Sequence, residues 1–248
     1  MVSGAARYDG HSEWYDQHFG SGHRPAEELA FLRQALGAGR GQVCVELACG
    51  TGLWAEPIAA AGYRAAGFDI SADQLRFARR RHRAVARADI CLLPVRDESV
   101  PVVVGMFFHT DLEDFAAVVR QVARCLRPGG RFIYAGLHPC FIGPFVNRMS
   151  ESDDNQLQFL PGYGSVGWAN RASGDGTGLG GRVGFHHKSL ASFLGAIVSS
   201  GLRICDVREF ASTGVVLPRN IGLVAEKREA RSETRDQDPR SKPDRPLS

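Results

Sequence analysis

The chain has 248 residues, 44% of them apolar and 23% charged, with a formal net charge of +3. That apolar share excludes a disordered chain, and the near balance of charge excludes a polybasic arm or an acidic tail protein. No apolar run approaches the ~20 residues of a membrane-spanning helix, and Met1 to Gly10 carries Arg7 and Asp9 instead of a signal-peptide core, so a cytoplasmic protein with no membrane partner is expected.

Residues 1–35 read as an N-terminal helical cap containing Tyr8, Trp14 and Tyr15. From there short apolar runs alternate with helix-period segments, the mark of a parallel sheet with crossover helices. Gln42 to Leu47 is the first predicted strand, followed by a glycine turn and a helix over Trp54 to Ala61. Ala65 to Ile70 is the second, after which Ser71 caps a helix running to about Ala84. Strands at Ala86 to Ile90 and Val100 to Phe107 follow. Then comes a helix starting near Asp111 or Glu113, with apolar Phe115, Val118, Val119, Val122 and Leu126 at intervals of three and four. Pro128-Gly129-Gly130 stops it, and Arg131 to Leu137 is the fifth strand.

Between His138 and Gly184 the periodicity dissolves into a stretch with ten glycines, read as a lid inserted over residues 138–187. Regularity returns with a helix over Lys188 to Ser200 and strands at Leu202 to Phe210 and Ile221 to Ala225. The main domain thus covers 36–226, and residues 227–248, without apolar periodicity, are expected to be a disordered tail. The six cysteines form no Cys-x-x-Cys pair and no zinc-spaced cluster, so they read as reduced thiols and no metal site is expected. The Arg76, Arg79, Arg80, Arg81, Arg83 and Arg87 cluster lacks interleaved aromatics and reads as a solvated helix face, not a nucleic-acid surface.

The chemistry concentrates in Val45-Glu46-Leu47-Ala48-Cys49-Gly50-Thr51-Gly52, an acidic strand end entering a glycine turn. Gly50 and Gly52 let the backbone approach a ligand, and the first strand-to-helix turn of a parallel sheet is where nucleotide-like ligands bind. Gly50-x-Gly52-x-x-Ala55 also fits a dinucleotide fingerprint, with Asp69 near the ribose-acid offset. Glu46 separates the two readings, because a carboxylate beside the turn repels a pyrophosphate and suits a cation.

These residues resemble the class I S-adenosylmethionine-dependent methyltransferase family: Glu46 to Gly52 its first motif, Phe68-Asp69-Ile70-Ser71 its ribose acid, Asp89-Ile90 its adenine contact, and Leu126-Arg127-Pro128-Gly129-Gly130 a later landmark. The resemblance spans about residues 40–137, with Ala48 in place of the usual first glycine. It implies a single Rossmann-like α/β domain, a seven-stranded, mostly parallel sheet with helices on both faces. S-adenosyl-L-methionine is the implied cofactor. By that resemblance Glu46 holds the methionine ammonium, directly or through water, while Ala48, Gly50 and Gly52 line the methionine part. Asp69 accepts the ribose hydroxyls, Asp89 accepts from the adenine amino group, and Ile70 and Ile90 sandwich the ring. Met106 and Phe107 fall where donor meets acceptor, and Tyr15 lies in a segment that covers the cofactor. Alternatives stay open: Asp69 and Asp89 as turn or cap residues, Phe107 as core, Tyr15 as helix packing.

Methyl transfer to a hydroxyl needs a base, and histidine suits neutral pH. His138 and His109 follow strand ends and are the catalytic candidates, His138 first. The aromatic lid, with Phe141 and Trp168, and the pair His186 and His187 are candidate substrate contacts, pointing to an apolar aromatic or polyketide-like natural product and to O-methylation as secondary metabolism. The partners expected are a small molecule and no nucleic acid, with a homodimer left open. Two other readings share the fold: a cyclase or isomerase that binds the cofactor without transferring methyl, and an NAD-dependent oxidoreductase.

Overall fold

The computed structural model describes residues 6–20, 25–82, 84–148, 157–169, 179–211 and 217–229. Most of the expected tail, and much of the glycine-rich insert, lie outside them. Strands β1 (Val43–Leu47), β2 (Arg64–Asp69), β3 (Ala84–Arg87), β4 (Val100–Met106) and β5 (Leu126–Leu137) pair in parallel, in the order 5-4-1-2-3. β11 (Asn220–Lys227) joins β5 antiparallel, and β10 (Leu202–Phe210) closes that edge, giving a seven-stranded, mostly parallel sheet. The insert contributes two small antiparallel pairs, β6 (Val146–Arg148) with β7 (Leu157–Phe159) and β8 (Gly167–Ala169) with β9 (Phe185–His187).

Alternation along the strands splits the core in two, because successive side chains point to opposite faces. Val45, Leu47, Val103, Phe132 and Tyr134 pack with Val118, Val119 and Val122 of α5 (Phe115–Cys125) and with Phe193 and Ile197 of α7 (Leu190–Ser199). Cys44, Val102, Val104, Ile133 and Ala135 pack on the other face with Ile58 of α3 (Ala55–Ala60) and with Phe31, Leu32 and Leu36 of α2 (Ala26–Leu36). Central β4 is buried along almost its whole length, as a parallel strand covered on both faces must be.

Several boundaries move. α2 is a core helix and not part of a cap: Phe31 stacks 5.5 Å from Phe210, and the Arg131 guanidinium donates to the carbonyls of Ala35 and Leu36. α1 (Ser12–Phe19) packs against the rim of that layer through Tyr15 and Phe19. α5 ends at Cys125, earlier than Pro128, because a residue before proline is driven to extended backbone. β5 therefore begins at Leu126, with an irregularity before Arg131. α4 (Ala72–Ala78) stops six residues short of Ala84, where His82 turns inward to Glu46, and β3 starts at Ala84 accordingly. The last strand runs to Lys227, which pairs with Leu202, one residue into the expected tail.

Candidate active site

At the carboxyl ends of β1, β2 and β4 lies a cavity of about 300 Å³. The switch point between β1 and β4, where the crossovers leave in opposite directions, opens such a crevice by topology alone. The cavity brings together Tyr15, Ala48, Gly50, Asp69, Ile70, Asp89, Ile90, Met106 and Phe107 from the sequence expectation. It also takes Tyr8, Ser71, Gln74 and Asp111, which the sequence reading had missed. Asp111 carried a signal, since it follows β4 as directly as His109 does. Gln74 carried none, lying one helical turn into α4 behind a cap.

The turn is shaped by left-handed backbone at Ala48 (φ 47°), Gly50 (φ 53°) and Gly52 (φ 81°). Asp69 stitches it to β2: its Oδ2 accepts from Gly50 N–H at 2.8 Å and its Oδ1 from Ser71 N–H at 2.8 Å. Burial lifts the Asp69 carboxyl above the usual carboxylate range, against the pull of those N–H groups. Asp89 caps the short 3-10 turn Ile90–Leu92, accepting from Cys91 N–H at 2.8 Å, and so faces the cavity as well as serving its turn. Phe107 has φ 57° and stacks on Trp54 at 6.1 Å.

Two residues of the glycine motif stand behind the wall. Glu46 is 1% exposed, and its Oε2 lies 2.6 Å from His82 Nε2. It does not reach the cavity, so the expected contact with a methionine ammonium is not made directly. Gly52 also faces away: a Cβ there would sit 3.1 Å from Ala78 Cα and 3.0 Å from His82 Cδ2, so its role is close packing of the turn on α4.

The histidine expectations are corrected more strongly. His138 does not line the cavity; its Nε2 is 2.8 Å from Glu209 Oε1, and its Nδ1 accepts from Cys140 N–H. His109 is buried in an aromatic nest of Phe115, Tyr134 and Phe193, with Nδ1 2.5 Å from Tyr134 Oη, and burial pushes its pKa down to about 3. His186 accepts from Lys188 Nζ at 2.8 Å, and His187 Nε2 donates to the Tyr163 carbonyl at 2.7 Å. Both are buried and anchor β9. Phe141 packs on His138 at 4.7 Å, and Trp168 lies under the Arg7 guanidinium with its Nε1 donating to Glu113. The described residues of the insert therefore stand outside the cavity, and of the proposed substrate contacts Phe107 alone lines it.

What covers the cavity is the N-terminal segment. Ala6, Arg7 and Tyr8 line it, Tyr8 Oη donates to Asp111 at 3.1 Å, Ser71 Oγ donates to Asp9 at 2.6 Å, and Gly10 N–H donates to Asp73 at 2.9 Å. Asp16 and Arg81 hold α1 against α4 at 2.5 Å.

The lining fits a cationic adenosyl ligand. Among its charged side chains are Asp69, Asp89 and Asp111 against a lone Arg7, which is engaged with Trp168 and the Val183 carbonyl. Gln74 Oε1 is buried without a hydrogen-bond partner among the described residues and lies 3.6 Å from where a Cβ on Gly50 would sit, so glycine leaves a donor room to approach it. Ile70, Ile90 and Met106 supply apolar walls. No cluster of His, Cys, Asp and Glu suited to a metal occurs among the described residues.

An acidic crevice at the switch point of a seven-stranded, mostly parallel sheet defines a Rossmann-like α/β protein. A model of the methyltransferase domain family matches residues 45–134, so that β1 to β5 fall almost wholly within it. The demethylmenaquinone methyltransferase of Renibacterium salmoninarum is 32% identical over 120 residues, 47% of this chain and 50% of that protein. Its namesake from Mycobacterium sp. (strain JLS) is 34% identical over 99 residues, 40% of this chain and 43% of that one. The chain thus spans about half the length of the curated relatives it matches. A solved S-adenosylmethionine-dependent methyltransferase from Mesorhizobium loti shares the fold with TM-score 0.67 at 24% identity, covering 81% of this chain and 98% of its own. Geranyl diphosphate C-methyltransferase from Streptomyces coelicolor A3(2) does so with TM-score 0.58 at 17% identity, covering 91% and 88%. Residues 45–134 thus resemble a methyltransferase domain, and the sheet around them has the fold of solved S-adenosylmethionine-dependent methyltransferases.

Proposed function

We propose that the protein transfers a methyl group from S-adenosylmethionine to a small apolar acceptor, most simply a hydroxyl on an aromatic or polyketide-like ring. The observation that carries this is the charge of the cavity, three carboxylates against one engaged guanidinium, which suits a sulfonium and an ammonium and opposes a dinucleotide pyrophosphate. When bound, the cofactor supplies an electrophilic methyl carbon on a sulfonium with a good leaving group.

The chain's own residues then divide the work of binding and alignment. Asp69 retains lone pairs for the ribose hydroxyls beyond those taken by Gly50 and Ser71 N–H. Ile70 and Ile90 flank the adenine and Asp89 accepts from its amino group. Gln74 and Gly50 receive the amino-acid end, with Glu46 acting from behind the turn on its geometry. Met106 and Phe107 face the reacting carbon, and Tyr8 and Tyr15 exclude water from above. The curated relatives are named for demethylmenaquinone, a quinone-type acceptor, and this supports a small molecule here too. Their match covers less than half of this chain, so the acceptor class rests on this chain's own apolar wall.

Isothermal titration with S-adenosylmethionine, S-adenosylhomocysteine and NAD tests the first half: micromolar binding of the first two, weakened tenfold or more by Gln74→Ala (~1.4 kcal/mol), is expected. Binding of NAD alone overturns the reading. Release of S-adenosylhomocysteine across a panel of naphthoquinols, catechols and hydroxylated polyketides tests the second. Tight cofactor binding with a substrate converted but no methyl lost would favour a cyclase or isomerase.

A further inference from the structure

The base expected among the histidines is not at the cavity, which leaves the proton of the acceptor without a destination. Asp111 occupies the turn His109–Asp111 directly after β4, with its backbone N–H donating to Phe108 O at 3.0 Å. Lys188 clamps that turn by donating to the His109 carbonyl at 3.1 Å, to the Leu112 carbonyl and to His186 Nδ1. The Asp111 carboxyl is thereby fixed on the cavity wall beside Met106, Phe107 and Leu112. Tyr8 Oη donates to its Oδ2, while its Oδ1 has no hydrogen-bond partner among the described residues.

We propose that Asp111 is the catalytic residue that takes up the acceptor's proton through Oδ1 during methyl transfer, an assignment that rests on the methyltransferase reading above. An electron pair of the acceptor atom forms the new bond to the methyl carbon, and the carbon–sulfur bond breaks with its pair going to sulfur, which loses its positive charge. The proton leaves the acceptor for Asp111 Oδ1 and returns to solvent after product departs.

A carboxylate in water is too weak a base for this, and the surroundings correct it. Burial raises the Asp111 pKa to about 7; the Tyr8 hydrogen bond opposes the rise, the Asp69 charge adds to it, and Lys188 and Arg7 oppose it. The remaining titratable neighbours, Tyr15 and Tyr134, have hydroxyls pushed well up by burial and stay neutral. The other cavity carboxylates are committed: both oxygens of Asp69 accept backbone N–H groups, and Asp89 Oδ1 accepts from Cys91. Lys188 is a positioning residue, since it reaches the turn and not the cavity.

The free full-length protein with ¹³C-labelled aspartate carboxyls should show a resonance titrating near neutrality that is absent in Asp111→Asn. A wild-type spectrum in which every aspartate titrates below pH 5 overturns the assignment. Calorimetry at pH 7 in buffers of different ionisation enthalpy gives a second reading. S-adenosylmethionine should release up to about half a proton on binding and S-adenosylhomocysteine less, with the difference lost in Asp111→Asn. Equal proton release by wild type and variant overturns the assignment alone; no binding of either compound to wild type overturns the methyltransferase reading and this one with it. With an acceptor from the panel above, Asp111→Asn should lower kcat at saturating cofactor by roughly 10²–10⁴, beyond any loss of cofactor affinity from removing one cavity carboxylate, and an unchanged kcat refutes the role.

Discussion

Asp111 bears on stability as well as on chemistry. Burial pushes its carboxyl up to about 7 in the folded protein, against about 3.9 for an ordinary aspartate, so between those values the folded chain holds a proton that the unfolded chain has released. Raised acid pKa values stabilise the fold at low pH, and that advantage is lost as pH rises through the folded value. Asp111→Asn should accordingly melt at about the wild-type temperature near pH 4 and above it at pH 8, by an amount on the order of 1–2 kcal/mol after discounting for partial exposure. An equal gain at both pH values would mean the burial effect is not ionic. Gly52 makes a different demand. At φ 81° and pressed on the Ala78 backbone, it should not accept a side chain, and Gly52→Ala should cost about 1–3 kcal/mol in chemical denaturation. Of these residues, Asp69 and Gly50 were placed at the cavity by the sequence pattern, whereas Gly52 was expected there and instead packs the turn on α4. Asp111, Gln74 and the Glu46–His82 pair were not legible in the sequence, because burial and long-range partners decide them, and a histidine after a strand looks the same whether its ring faces a ligand or an aromatic nest.

The elements were read best where local chemistry fixes them. Ser71 caps α4 as expected, accepting from Gln74 N–H, whereas α5 and α7 are capped by Asp114, just past the expected start at Asp111 or Glu113, and by Ser189, which accept from Ala117 N–H at 2.8 Å and from Ser192 N–H. Asp114→Ala should cost about 1 kcal/mol, roughly 2–4 °C in melting temperature, with no effect on cofactor affinity. The N-terminal segment is the contrary case. Its hydrogen bonds reach Asp111, Ser71 and Asp73, 62 to 103 residues away in sequence, so no local pattern foretold where it would lie. Removing residues 1–11 should weaken S-adenosylmethionine binding at least tenfold in a titration while shifting the melting temperature by only a few degrees. Unchanged affinity would show that the segment is no part of the site.

Across the whole molecule a parallel sheet with crossovers was legible in the alternation of apolar runs and helix-period segments, whereas the order of its strands and the place of α2 were not. Its apolar positions fit a cap as well as a core helix, and only the packing of Phe31, Leu32 and Leu36 against Ile133, Val224 and Phe210 distinguishes them. Phe31→Ala should cost about 3–5 kcal/mol, a core-sized loss; a loss below 1 kcal/mol would return α2 to the cap.

The N-terminal strap has one further consequence, for time and not for affinity. Tyr8 lines the cavity and is tied to Asp111, and the residues after it are tied to Ser71 and Asp73, so release of these ties would widen the path to a molecule seated below. To the extent that ligand leaves past the strap, dissociation would follow the strap's opening as well as the contacts beneath it. A spent cofactor would linger after the chemistry is over, turnover would be paced by its departure, and a competitor with no better contacts than the natural ligand could gain residence time simply by fastening Tyr8 in place.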